Sequence, residues 1–426
     1  MRGIEESPDL IAVDAGSTDP GPYYLGSGKS FTDRTGVKKD LRTMLIEGVN
    51  RGIPVVVGSC GGSGAAPHLE WCKDIVLEIA KEEGLKFKLG IIPADIDKSI
   101  VRDSLKAGRI TPLQFVPDLT EEIIDESTYI VAQMGIEPII EAHKKGCGVI
   151  LCGRAYDPSV FSAIPIFMGY NPGLAIHCGK ILECAAIAAT PGSGSDSVMG
   201  ILREDSFFLK TLSDGRKFTK ESTVAHSLYE KSDPRFLPGP GGILNLSETI
   251  FTEHPDGVEV SGSRFEPSEK YMVKLEAARR TGYRTITIAG SRDPIMVGNI
   301  DKILSEVETR VKSVMDEEGI EGKIFFHIYG KRGTMGDLEP ENSTGKEIGI
   351  LIEVVSKNQE SANTICSITR STLLHYGYEG RISTAGNLAF PFSPSDIKAG
   401  EVFEFSIYHL MEIEGLNLFT PEIQEV

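Results

Sequence analysis

Three consecutive β-branched residues, Val55-Val56-Val57, run straight into Gly58-Ser59-Cys60-Gly61-Gly62-Ser63-Gly64. Pro67 then opens a stretch with Leu69, Cys72, Val76, Ile79 and Ala80 at helical spacing. A short, wholly apolar strand that turns through glycines into a helix belongs to a buried parallel sheet with helical crossovers. Two uses of the turn stay open. The glycines and the first helical N–H groups can cradle an anion, or the turn is only a tight strand-to-helix crossing. The spacing fits neither a dinucleotide fingerprint nor a P-loop, since Lys73 lies inside the helix.

The same texture recurs over the first ~160 residues. Leu10–Val13, Lys88–Ile92 and Gly148–Cys152 read as strands. Helices are expected around Leu41–Val49, from Ser99 to Gly108 and from Ile136 to Gly146. The expected fold class is therefore α/β, with a Rossmann-like doubly wound parallel sheet in the N-terminal part. From about residue 205 the pattern changes to strands such as Val258–Arg264, Thr285–Gly290, Lys323–Tyr329, Ile348–Val355 and Val402–His409. Amphipathic helices at Asp301–Glu317 and Ser361–His375 interrupt them, which predicts an α+β C-terminal domain. A chain of 426 residues exceeds one ordinary core, and the expected division is 1–204 and 205–426.

In a doubly wound sheet, ligands bind beyond the carboxyl ends of the strands. Four such ends carry polar residues: Asp14 to Asp19, Ser59 to Ser63, Asp95 to Asp97, and Arg154 to Asp157. The candidate catalytic residues are Asp157, Asp14 and Asp95. The candidate substrate-binding residues are Arg154, Ser17, Ser59, Gly61, Gly62 and Ser63. Several of these residues can equally cap the helices that follow. Leu174–Ala186 reads as a helix of small and apolar residues in which His177 and Cys184 share a face. Tight packing suits it better than a soft metal site, and no metal is expected. A buried Glu183 there would need a partner.

A net charge of −17, with no long basic run against it, argues against nucleic acid and anionic membranes as partners. There is no apolar run near the ~18 residues that span a bilayer and no signal-peptide pattern, so a cytoplasmic location is expected. Seven cysteines without a Cys-x-x-Cys pair do not read as a disulfide framework or a structural zinc site.

The Gly58–Gly64 loop, Cys152-Gly153-Arg154-Ala155-Tyr156-Asp157, His177–Cys184 and Lys220–Val224 with Leu228-Tyr229-Glu230 and Asp233-Pro234 form a set with Val258–Arg264 and Gly386–Asp396. As a set they resemble the acyclic terpene utilisation (AtuA-like) family, in a divergent branch, over most of residues 8 to 413. The resemblance implies a catabolic role and a small companion subunit. With the strand-end acids, it suggests a hydro-lyase (hydratase or dehydratase) acting on a small carboxylic acid or its CoA thioester. The alternatives are an acyl-CoA-handling enzyme of another reaction type and a non-catalytic subunit of a catabolic complex. No cofactor is specified beyond CoA as part of a substrate, and a large acidic catabolic protein is expected to be a homo-oligomer.

Overall fold

The computed structural model describes residues 2–113, 115–341 and 343–426. It is a mixed α/β structure with parallel and antiparallel sheets. Its compact units are the residues up to Arg279 together with Phe405–Val426, and Arg280–Glu404. The division expected at 204/205 thus falls inside the first of these units. The antiparallel strands that begin at Val198 share a hydrophobic cluster with the preceding helix Pro172–Leu182.

The first unit contains a sheet built mostly of parallel strands. Its strands run in the order Ile11–Asp14, Val55–Gly58, Val149–Cys152, Lys88–Ile92 and Glu422–Glu425. The first four are parallel, with Ala12 opposite Val56 and Val56 opposite Ile150. The last pairs antiparallel to Lys88–Ile92, an edge that the sequence reading left out. All four residues of Val55–Gly58 and of Val149–Cys152 are buried, as continuous apolar strands in parallel sheets are. Helices Arg34–Arg51 and Ala66–Glu83 supply Leu41, Leu45, Leu69, Ile75 and Ile79 to the same core. Helix Asp157–Phe167 packs so closely that a Cβ on Gly58 would stand 2.2 Å from Val160 Cγ2.

The rest of the first unit is antiparallel. Ile250–His254, Gly257–Ser261, Ser206–Thr211 and Val198–Leu202 form one sheet, in that order. It packs Phe207, Leu209, Val258 and Val260 onto helix Pro172–Leu182 through Leu174, Cys178 and Ile181. A three-stranded sheet joins Arg264–Pro267, Gly242–Asn245 and Phe236–Gly239. Residues 275–279 of the long strand Tyr271–Ser291 pair with Ser127–Ala132.

In the 280–404 unit, Ile348–Ser356 lies between Lys323–Tyr329 and residues 283–291, all antiparallel. Burial along Ile348–Ser356 alternates strictly. Its inward side chains meet Ile303, Val307 and Val311 of helix Ile300–Glu318 and Ala362 and Ile365 of helix Gln359–His375. Among the described residues, no helix is long and apolar enough to cross a membrane.

Candidate functional site

Asp14 ends its strand in register with Gly58. Ser59 follows Gly58, and Arg154 and Asp157 follow Cys152 on the neighbouring strand. Parallel pairing therefore brings these four residues to one end of the sheet. Arg154 is buried and anchors the group. Its Nε donates to Glu276 Oε2 at 2.6 Å, and its Nη1 donates to Ser59 Oγ and Asp157 Oδ1, both at 3.1 Å. Glu276 comes from the Tyr271–Ser291 strand and is fully buried. Its Oε1 accepts from Thr18 Oγ1 at 3.1 Å and pairs with Lys274 Nζ at 2.9 Å. Burial alone would raise the Glu276 carboxyl, but Arg154 and Lys274 outweigh it and hold it down at about 2.

A second charged group adjoins the first. Glu183 caps the C-terminal end of helix Pro172–Leu182. Its side chain is 5% exposed, with Oε1 on the ammonium of buried Lys180 and Oε2 without a partner among the described residues. Burial pushes Glu183 up to about 7, opposed by Lys180 and reinforced by Asp157. Burial also drives Asp14 well above the usual carboxylate range. Asp157 and Glu183 add to that rise, while Arg154 and the Gly16 N–H oppose it. Asp14 Oδ1 is buried without a partner among the described residues. Asp14 thus lies beside Asp157 and Glu183 with its carboxyl pushed towards the protonated form. Lys231 lies nearby, its ammonium 5.5 Å from the centre of the Tyr156 ring. Burial and Lys180 lower the Lys231 pKa.

The other sequence candidates sit elsewhere or do different work. Ser17 donates to Asp19 Oδ2 at 2.6 Å and accepts from the Asp19 N–H, a closed local turn. Asp95 does not join the carboxylate group. Burial pushes it up to about 6, and the backbone N–H of Ala66, the first residue of helix Ala66–Glu83, opposes the rise. The anion at that helix N-terminus is therefore a side chain of the protein itself. Gly61, Gly62 and Ser63 are buried. The N–H of Gly62 donates to Ser59 O, and those of Ser59 and Cys60 donate to the Gly153 and Cys152 carbonyls. A Cβ on Gly62, whose φ is 101°, would stand 2.4 Å from the Phe31 ring, and one on Gly64 would stand 2.2 Å from Arg154 N. The glycines allow backbone to pack on backbone and carry the crossing. Cys60 is fully buried, and burial with Cys72 and Cys152 beside it drives its thiol well up, so it is a structural thiol. His177 is a satisfied core histidine between Ser263 Oγ at 2.7 Å and Ser227 Oγ at 2.9 Å.

Among the described residues, Glu183, Cys184 and His226 place one ligand atom each within 4.8 Å of one another, and His226 Nε2 has no partner. Lys180 adjoins this cluster: it holds Glu183 Oε1 and, after burial, lowers His226 to about 4. A cavity of about 230 Å³ opens between Tyr156, Ser159, Ile176, Leu237, Leu244 and Phe265. On one wall Tyr271 donates to Glu137 Oε2 at 2.6 Å.

The family described as "Acyclic terpene utilisation family protein AtuA" matches residues 32–390. The chain belongs to the AtuA family. No curated protein and no solved structure matches it. In this AtuA chain, the stretches that carry the resemblance also supply Arg154, Asp157, Lys180 and Glu183. Glu276, Lys274 and Lys231 lie outside the strand-end pattern, and sequence reasoning missed them. The available signal was Lys274-Leu275-Glu276, two opposite charges at i and i+2 inside a stretch of strand that is otherwise apolar.

Proposed function

We propose that this AtuA-family protein is a catabolic hydro-lyase acting on a small carboxylic acid or its CoA thioester. One observation carries the reading: Asp14, Asp157 and Glu183 crowd together, and their environments push at least two of them far from the ordinary carboxylate range. Acid and base roles are assigned by such a split. The reading treats the parallel sheet as doubly wound and Rossmann-like, with its ligand beyond the strand ends.

In the dehydration direction Asp157, with 24% of its side chain accessible, takes the proton on the carbon next to the carboxyl group. The C–H electron pair becomes the new C=C bond. The C–O bond to the hydroxyl breaks as Asp14 donates its proton, and water leaves. Asp157 ends protonated and Asp14 ionised, and exchange with solvent resets both. Arg154 holds Asp157 in place, fixed in turn by Glu276. A homo-oligomer with a small companion subunit is part of the proposal, and mass by light scattering with co-purification tests it.

Purified protein is incubated with 2- and 3-hydroxy acids, their enoic acids and the matching CoA thioesters. Appearance or loss of the conjugated double bond is followed in the ultraviolet. Turnover that disappears in Asp14→Asn and Asp157→Asn supports the reading. No turnover in either direction across the panel, with ligand binding intact, leaves the non-catalytic subunit.

A further inference from the structure

The sheet of the 280–404 unit has an open edge. Strand Lys323–Tyr329 pairs with Ile348–Ser356 through seven consecutive residues, from Lys323 opposite Val355 to Tyr329 opposite Gly349, without a bulge. Among the described residues, no strand pairs with its other side. An edge of this kind presents a row of unpaired N–H and C=O groups, which proteins commonly blunt with proline, a bulge or an inward-pointing charge. Lys323–Tyr329 has none of the three. Ile324, Phe326 and Ile328 face the core of the unit. Lys323, Phe325, His327 and Tyr329 therefore take the opposite face, where Phe325 is 43% and Tyr329 53% exposed.

A groove of about 640 Å³ runs along this edge. All five residues from Ile324 to Ile328 line it, so it follows the backbone of the strand and not one of its faces. Its far wall is helix Ile300–Glu318, through Asp301, Leu304, Ser305 and Glu308, which share one helical face.

The strand is complementary to itself. Laid antiparallel against a second copy, with Phe326 on the two-fold axis, all seven residues find a partner. Phe326 meets Phe326 and Ile324 meets Ile328 on the core side, and Phe325 meets His327 on the outer side. Apolar and aromatic cross-strand pairs of this kind stabilise a sheet. At the ends Lys323 meets Tyr329, an ammonium beside an aromatic ring. The same rotation brings the partner's Lys323 to the end of the strand where the turn through Gly333 packs on the Ile328 and Tyr329 backbone. That turn leads to Asp337, which lines the groove, is fully exposed and stands 4.0 Å from Arg332 Nη1. A cation arriving there meets an available carboxylate.

We propose that this edge pairs with the same edge of a second copy of the chain, so that one sheet runs across a two-fold dimer. The pairing gives the homo-oligomer of the proposed function its interface, and it stands or falls whatever reaction the protein catalyses.

Sedimentation velocity and light scattering of the full chain over a wide concentration range should give twice the chain mass or an even multiple of it. Phe325→Lys sets a charge against the partner's His327 from an exposed position. It should raise the dissociation constant at least tenfold and leave the circular dichroism unchanged. If that variant does not fold, Tyr329→Lys probes the same edge. Phe326→Cys places two thiols opposite each other on the axis, where cross-strand Cβ atoms stand ~4.5–5.5 Å apart. Copper-catalysed air oxidation should join the two chains there, with the parent as the blank. Phe325→Cys, offset from its own copy by two residues, should cross-link at least tenfold less. A monomer at every concentration overturns the proposal and the homo-oligomer together. An oligomer whose mass survives Phe325→Lys, or in which Phe326→Cys does not cross-link, overturns this interface alone and leaves self-association to another surface.

Discussion

Replacing Glu276 by Gln removes the charge that holds Arg154 and Lys274 and leaves the shape nearly unchanged. Its cost follows from two independent routes. The carboxyl is held at about 2 against an ordinary 4.5, which at ~1.36 kcal/mol per pH unit corresponds to about 3 kcal/mol. Removing one partner of a buried ion pair costs about 3–5 kcal/mol, because the remaining charge stays buried and unpaired. The two agree, and at about 1–2 °C per kcal/mol for a unit of about 300 residues the midpoint of thermal unfolding should fall by about 5 °C. The pH dependence separates charge from shape. The folded pKa lies below the unfolded one, so this stability is fully present above about pH 4.5 and is lost as pH falls towards 2. Melts of the parent and of Glu276→Gln between pH 3 and 8 should differ by a constant amount above pH 5 and converge below it. A difference under about 2 °C at pH 7, or one that does not close in acid, would refute the reasoning.

Asp157→Asn is expected to fold with near-normal stability and lose most of its turnover. Asp157 occupies the first turn of its helix, the cap residue Tyr156 makes no side-chain cap bond, and the Asp157 Oδ1 is held by Arg154. Circular dichroism and the hydration assay check both halves. Gly62→Ala should lower the unfolding midpoint by several degrees, since at φ 101° the added methyl meets the Phe31 ring; an unchanged melt would show that the loop has slack. Glu183→Gln should remove an ionisation near pH 7 from the pH–activity profile, and a profile that keeps it places that proton on another group.

The strands and the glycine crossing were legible because burial on both faces of a parallel sheet leaves only apolar residues in the chain, as at Val55–Val57 and Val149–Leu151. Asp14, Ser59, Arg154 and Asp157 were legible because parallel strands of similar length end together. Reading the glycine loop as an anion cradle depends on what faces it. Phe31, the Arg154 backbone and Asp95 fill that role from segments that spacing along one stretch does not connect. Arg154 was expected to meet the substrate, yet two of its nitrogens are committed to Glu276, Ser59 and Asp157. Its partner lies 122 residues further on, in a part of the long strand that the sequence reading did not assign. The division into units was hidden for a related reason. The chain returns at Phe405 to the unit it left at Arg279, and composition carries no mark of a return.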